Sequence, residues 1–149
     1  MIKKLIIYFL LLSVCFTQFS ISEEKFLSLK KNKVNVRYGP SFESKIKYIY
    51  KKINLPVKQI DRKENFRRIE DLKNNSGWIH ISQLKKSNSI IILEDRILFM
   101  KPSNLSRPVA RLEKGRLLIV KKCEGIWCSI ITEGYFGWIK AENIWGSTK

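Results

Sequence analysis

From residue 26 onward the chain alternates between apolar and polar positions. Val34 and Val36 flank Asn35, and Arg37 continues on the polar side, a period of two that predicts a strand with one buried face. Gly39-Pro40 ends it, because Gly permits a tight backbone and Pro cannot extend a sheet ladder. A polar loop, residues 42–45, leads to Ile46-Lys47-Tyr48-Ile49-Tyr50, a strand rich in β-formers. Lys52-Ile53-Asn54 predicts a turn in which Asn54 takes the left-handed conformation. Residues 55–60 form the next strand, with Pro56 marking an edge or a bulge. After a turn over 61–65, Phe66-Arg67-Arg68-Ile69-Glu70 alternates again, and Lys73-Asn74-Asn75-Ser76-Gly77 is a hairpin turn. Trp78-Ile79-His80-Ile81 closes the run, and Ser82-Gln83-Leu84 predicts a short helical turn. Ahead of all this, residues 23–33 are a charged lead-in held by Phe26, Leu27 and Leu29, with Leu27-Ser28-Leu29 as an edge strand.

The same order then repeats. Ile97-Leu98-Phe99-Met100-Lys101-Pro102-Ser103 stands where the first strand stood, keeping the Pro and Ser but lacking the Asn, Arg and Gly. Residues 109–115 match 48–54, with Gly115 in the turn position of Asn54, and residues 117–120 match the strand from Pro56. Trp127-Cys128-Ser129-Ile130 aligns with Phe66-Arg67-Arg68-Ile69, and Gly137-Trp138-Ile139-Lys140 with Gly77-Trp78-Ile79-His80. Asn143-Ile144-Trp145 falls where Ser82-Gln83-Leu84 fell, and the apolar run Ile90-Ile91-Ile92-Leu93 predicts a strand linking the copies. The expected fold is all-β: two small β-barrels in tandem, over residues 23–87 and 88–149. A unit this small buries only ~60% of its unfolded surface and is marginal alone. Packing of one copy on the other, through the run at 90–93, is one remedy.

The first 22 residues do not belong to this pattern. Met1-Ile2-Lys3-Lys4 is a short positive region, and the apolar stretch 5–16 is too short for the ~20 residues of a spanning helix. Ser20-Ile21-Ser22 supplies small residues where a signal peptidase reads, so residues 1–22 are read as a cleaved secretory signal peptide. A lipoprotein box at Leu12-Ser13-Val14-Cys15 and an uncleaved anchor are the alternatives, and either would hold the chain to a membrane through its N-terminal segment. Cleavage removes Cys15 and leaves Cys123 and Cys128, a pair that in an exported chain implies a disulfide. It is the second remedy for a marginal unit, closing a short ring worth roughly 2 kcal/mol in the chain-entropy model. Two thiols and a distant His80 do not complete a tetrahedral metal site, so no metal and no cofactor is expected. The location expected is exported and periplasmic.

The 149 residues carry a formal net charge of +16 with 44% hydrophobic and 28% charged residues, the balance of a globular chain. Such a charge attracts polyanions, whether nucleic acid, anionic lipid or an acidic wall polymer. It is also what a Lys-, Ile- and Asn-crowded composition gives, with solvated Lys on every face and no dense basic block. Export makes nucleic acid an unsuitable specific partner.

The stretches Val34-Asn35-Val36-Arg37-Tyr38-Gly39-Pro40-Ser41 and Gly77-Trp78-Ile79-His80 resemble the two ends of a bacterial SH3-like (SH3b) domain. The whole layout, about residues 26 to 146, is similar to a family of small exported proteobacterial proteins with two SH3-like units and a Cys-x4-Cys hairpin in the second. The resemblance implies small SH3-like barrels, which often bind wall peptides. It extends to Arg37, Tyr38 and Trp78 as a groove, to which Tyr48 and Phe66 add aromatic surface. Arg37 can meet a carboxylate bidentately, while Arg67 and Arg68 point to opposite faces of one strand, so at most one shares that groove.

Nothing in the sequence points to catalysis. No Ser sits in a nucleophile elbow and no Gly-rich loop precedes a helix; His80 is alone, and Glu70-Asp71 and Glu94-Asp95 are adjacent rather than convergent. The expected function is a non-catalytic cell-envelope module that binds peptidoglycan or an extended segment of an envelope protein. The alternative is a structural or assembly factor that docks on an envelope protein and has no affinity for the wall.

Overall fold

A computed structural model of the chain describes residues 24–148. The predicted signal segment at 1–22 and its Cys15 lie outside them. Two antiparallel sheets account for the described residues. The first contains β1 (Phe26–Leu29), β2 (Val34–Arg37), β3 (Ile46–Tyr50), β4 (Pro56–Lys63), β5 (Phe66–Glu70), β6 (Ser76–His80) and β7 (Leu84–Lys86), with a 3-10 turn, Ile81–Gln83, before β7. The second contains β8 (Ser89–Ile92), β9 (Arg96–Phe99), β10 (Pro108–Leu112), β11 (Leu117–Glu124), β12 (Trp127–Thr132), β13 (Tyr135–Lys140) and β14 (Ile144–Gly146). Their strand orders are β3-β2-β6-β5-β4-β1-β7 and β10-β9-β13-β12-β11-β8-β14, one order written twice. This is the all-β tandem architecture that the repeat predicts.

Each unit folds around the inward residues of its alternating strands. Val34, Val36, Val57, Ile69 and Ile79 form the first core with Leu29 and Leu84. Leu98, Leu118, Ile130 and Ile139 occupy the corresponding places in the second, with Ile90 and Ile92. The two predicted turn residues behave alike: Asn54 has φ +63° and Gly115 φ +85°. Their backbone N–H groups donate to Leu29 and Ile92 respectively, equivalent carbonyls in β1 and β8.

Several local expectations change. Pro56 marks neither an edge nor a bulge, because β4 lies between β5 and β1 and its register shifts only between Gln59 and Asp61. Ser76 and Gly77 belong to β6 rather than to the hairpin turn, and Trp145 stands in the place of Lys85, not of Leu84. Leu27–Leu29 is no edge strand, because β1 lies between β4 and β7. The apolar run at 90–93 does not merely link the copies: Ser89–Ile92 is β8, the counterpart of β1. The turn after β4 is shorter than predicted, since β4 continues to Lys63 and only Glu64 and Asn65 separate it from β5. The turn before β11 is one residue shorter than its counterpart, so Ala110, not Val109, takes the place of Tyr48. That shift points Leu112 inward, where it is buried.

The two units are joined through a small polar and aromatic junction. Ser28 Oγ lies 2.9 Å from Ser87 Oγ and 2.6 Å from Ser89 Oγ, and Ser89 Oγ donates to the Asn54 carbonyl at 2.6 Å. Trp145 Nε1–H donates to the Pro56 carbonyl at 3.1 Å, and its ring meets Phe26 edge-on at 5.1 Å. Ile91 is buried on the same face of β8 as Ser89 and so faces the first unit, while Ile90 and Ile92 face their own core.

Cys123 and Cys128 form the disulfide. They stand directly opposite in the β11–β12 register, and the strands continue past them, leaving Gly125 and Ile126 as the turn. The bond therefore lies within the ladder rather than across an open loop.

Candidate functional site

Outward-facing residues of three neighbouring strands in the first unit form a row. Trp78 on β6 is opposite Arg37 on β2 and opposite Arg68 on β5. The alternation explains it: Val36, Ile69 and Ile79 point into the core, so their neighbours Arg37, Arg68 and Trp78 point out. Gly77 makes the arrangement possible. A Cβ there would lie 2.4 Å from Val36 Cγ1 and 3.0 Å from the Arg37 carbonyl, so only glycine lets β6 approach β2 this closely.

The row borders a cleft of about 230 Å³ lined by Arg37, Tyr38, Lys47, Arg68, Ser76, Gly77 and Trp78. Two of its cations are braced by carbonyls. Arg37 Nη1 donates to the Ser44 carbonyl at 2.7 Å, and Lys47 Nζ donates to the Ser76 carbonyl at 2.9 Å. Lys47 also lies 5.7 Å from the centre of the Tyr38 ring, and Arg37 lies 5.8 Å from that of Phe42. Among the described residues, none of Arg37, Lys47 and Arg68 forms a salt bridge. Asp61 stands opposite Arg68 in the register, yet its carboxylate accepts from the Arg62 backbone N–H instead. Glu43, in the loop beside Arg37, is held below the usual carboxylate range first by the Ser41 hydroxyl, then by its own N–H, and last by the charge of Arg37. The cleft thus presents three cations around an indole and a phenol, a surface that fits a carboxylate attached to an apolar body.

The structure brings Arg37, Tyr38 and Trp78 to one cleft and places Tyr48 and Phe66 elsewhere. Tyr48 faces inward at the edge of the core, with its hydroxyl 3.3 Å from that of Tyr50. Burial pushes the Tyr48 phenol up. Phe66 shares the outer face, but Phe42 and His80 cover it at ring distances of 5.3 and 5.1 Å. Phe42 is itself exposed and extends the aromatic surface next to Arg37. Sequence reading left open which of Arg67 and Arg68 shares the face; Arg68 does, while Arg67 turns back to the Glu64 and Phe66 carbonyls. Lys47 was missed altogether, and only its alternation with Tyr48 could have revealed it.

The second unit provides an internal comparison. Trp138 is flanked by Phe99 and Ser129 where Trp78 is flanked by Arg37 and Arg68. Phe99 packs edge-on against Trp127 at 5.8 Å, and Ser129 is buried. Lys122 and Lys140 lie over the Trp138 and Trp127 rings at 5.2 and 5.6 Å. The scaffold is retained, but this face is aromatic and closed. Among the described residues no group of three or more His, Cys, Asp or Glu side chains is placed to hold a metal ion.

A search of curated proteins returns no match. Among solved structures the chain is similar to NlpC2 from Trichomonas vaginalis, with a TM-score of 0.39 and 13% identity over 83% of this chain and 48% of that one. It is similar also to NlpC1 from Trichomonas vaginalis, with a TM-score of 0.37 and 14% identity over 84% and 46%. The chain spans about half the length of these structures. A sequence model of the bacterial SH3 domain matches the chain twice, over residues 30–86 and 96–146, and the chain belongs to the bacterial SH3 domain family.

Proposed function

We propose that the chain is a non-catalytic cell-envelope module whose first unit binds the peptide of the wall through the cleft around Trp78. Domains of this family are typically binding modules. The observation that carries the reading is the trio Arg37, Lys47 and Arg68, which lines the cleft beside a half-buried indole and forms no salt bridge among the described residues. Wall peptides offer carboxylates on a short, partly apolar chain, and an Arg can grip a carboxylate through two parallel hydrogen bonds. The second unit, with Phe99 and Ser129 in place of the two arginines, acts as scaffold. The disulfide fits an oxidising compartment, and the periplasm is the compartment proposed.

Co-sedimentation of the mature chain with purified peptidoglycan tests this. The parent is expected in the wall pellet, and Arg37→Ala and Arg68→Ala are each expected to weaken binding by about tenfold or more. That is the loss expected when a hydrogen bond to a charged group, worth roughly 1.5–3 kcal/mol, is removed. Equal recovery of the parent with and without wall would end the proposal. Capture of one stoichiometric envelope protein by a chain with no wall affinity would replace it with the assembly-factor reading.

A further inference from the structure

An opening that shares no residue with the cleft around Trp78 lies between the two units. It has a volume of about 570 Å³, with 51–54 on one wall and 113–117 on the other, the equivalent turns of the two copies. The walls are fixed relative to each other. Ser89 Oγ donates to the carbonyl of Asn54, a residue of the cleft itself, and Trp145 fastens the second unit to Pro56 nearby. Such a cleft is formed before anything binds, which spares a ligand the cost of ordering it.

Its charge is one-sided. Arg116 is neutralised by Glu133 at 2.6 Å. This leaves Lys51, Lys52 and Lys114 against Glu113, and none of the three ammonium groups has an acidic partner among the described residues. Between the charges lies apolar surface. Ile53 on one wall is 43% exposed and Ile131 on the other is 36% exposed, although both carry aliphatic side chains that gain from burial. No aromatic ring lines the cleft, so neither a nucleobase nor a sugar ring finds a stacking partner there. An acyl chain also fits poorly, because ammonium and amide groups interrupt the apolar surface along the groove. A peptide that alternates acidic and aliphatic side chains meets both features at once.

We propose that this cleft is a second binding site, for an acidic, aliphatic peptide segment of a partner protein. Its carboxylates meet Lys51, Lys52 and Lys114, and its aliphatic side chains cover Ile53 and Ile131. The site is separate from the cleft around Trp78 and stands whether or not that cleft binds wall peptide.

Fluorescence anisotropy with a labelled peptide of alternating glutamate and leucine tests the assignment. Measurement at an ionic strength where the Debye length is ~8 Å suppresses long-range attraction to the overall charge. The parent is expected to bind, and the double variant Lys52→Glu, Lys114→Glu to lose about tenfold or more through like-charge contact. Both positions are exposed, and circular dichroism checks that the fold is kept. Arg37→Ala with Arg68→Ala is expected to bind this peptide as the parent does. The assignment is overturned if the charge-reversed protein binds unchanged, or if the Arg37/Arg68 variant loses the peptide. A glutamate peptide without leucine that binds equally well also overturns it, as does parent protein that ignores the peptide but sediments with phosphatidylglycerol vesicles.

Discussion

Asp71 and Tyr50 show how one contact can make the first unit sensitive to pH at both ends of the scale. Asp71 accepts from the backbone N–H of Lys73 and Asn75, from the Asn75 amide, and from the Tyr50 hydroxyl at 2.9 Å, so it pins the loop that leads into β6. Burial by itself raises its carboxyl. The bonds from Asn75, Tyr50 and Lys73 outweigh that and hold it below the usual carboxylate value. A depressed folded value means the contribution is complete above the unfolded pKa of about 3.9 and is lost as pH falls through the folded one. Tyr50 shifts the opposite way: burial, then the bonds to Tyr48 and Asp71, push its phenol far above the ordinary value. Its contribution is complete below about pH 10 and is lost as pH rises toward the folded value. Asp71→Asn is therefore expected to flatten the acid limb of a plot of urea midpoint against pH, and Tyr50→Phe the alkaline limb. At neutral pH Tyr50→Phe should cost about 1–2 kcal/mol, the scale of one hydrogen bond to a charged acceptor that is partly exposed. Unchanged limbs in both variants would remove Asp71 and Tyr50 from this role.

At the level of elements, the Gly-Trp pair in each copy is a crossing point. Gly77 lies against Val36 and the Arg37 carbonyl, and a Cβ at Gly137 would lie 2.6 Å from the Phe99 carbonyl and 2.8 Å from Leu98 Cγ. Backbone cannot move aside as a flexible side chain can, so Gly77→Ala must push β6 away from β2. The expected cost is about 1–3 kcal/mol, the range for overpacking, read as a lower urea midpoint with an unchanged slope. Because Arg37 and Trp78 sit on those two strands, the same variant should also lose the wall binding proposed for their cleft. A midpoint equal to that of the parent would mean that the strands part freely. Gly77 reads in the sequence as the end of a hairpin turn, so the crossing it makes within β6 was not legible there, although the recurrence of Gly-Trp in both copies was. So were the turns at Asn54 and Gly115 and the disulfide pair, because each rests on local backbone chemistry or on cysteine count. What could not be read was lateral: which strands become neighbours. Arg68 joins Arg37 only because β6 lies between β5 and β2, and Phe66 is covered only because the loop residue Phe42 folds over it. Tyr48 and Tyr38 look alike in sequence, and pairing of Tyr48 with inward-facing Val36 is what sends it to the core.

For the whole molecule, the repeat makes two cores and the junction decides whether they unfold as one. Trp145 carries the largest side chain of that junction, and its counterpart by strand order in the first unit, Lys85, has no such role. Gly146 lets β14 settle against β8, since a Cβ there would lie 2.4 Å from the Ser89 carbonyl. The disulfide loads the second unit alone, adding roughly 2 kcal/mol in the chain-entropy model. If the junction couples the units, reducing the disulfide in the parent should shift a single urea transition that circular dichroism and tryptophan emission report together. With Trp145→Ala the coupling is expected to fail. Reduction should then separate two transitions, the second unit unfolding first and the first unit keeping its own midpoint. Trp145→Phe discriminates further, since it preserves the ring contact with Phe26 but loses the N–H bond to the Pro56 carbonyl. An intermediate separation in that variant divides the coupling between aromatic packing and the hydrogen bond. A single coincident transition in reduced Trp145→Ala would place the coupling instead in the Ser28, Ser87 and Ser89 hydroxyls and Ile91, the remaining contacts between the units described above.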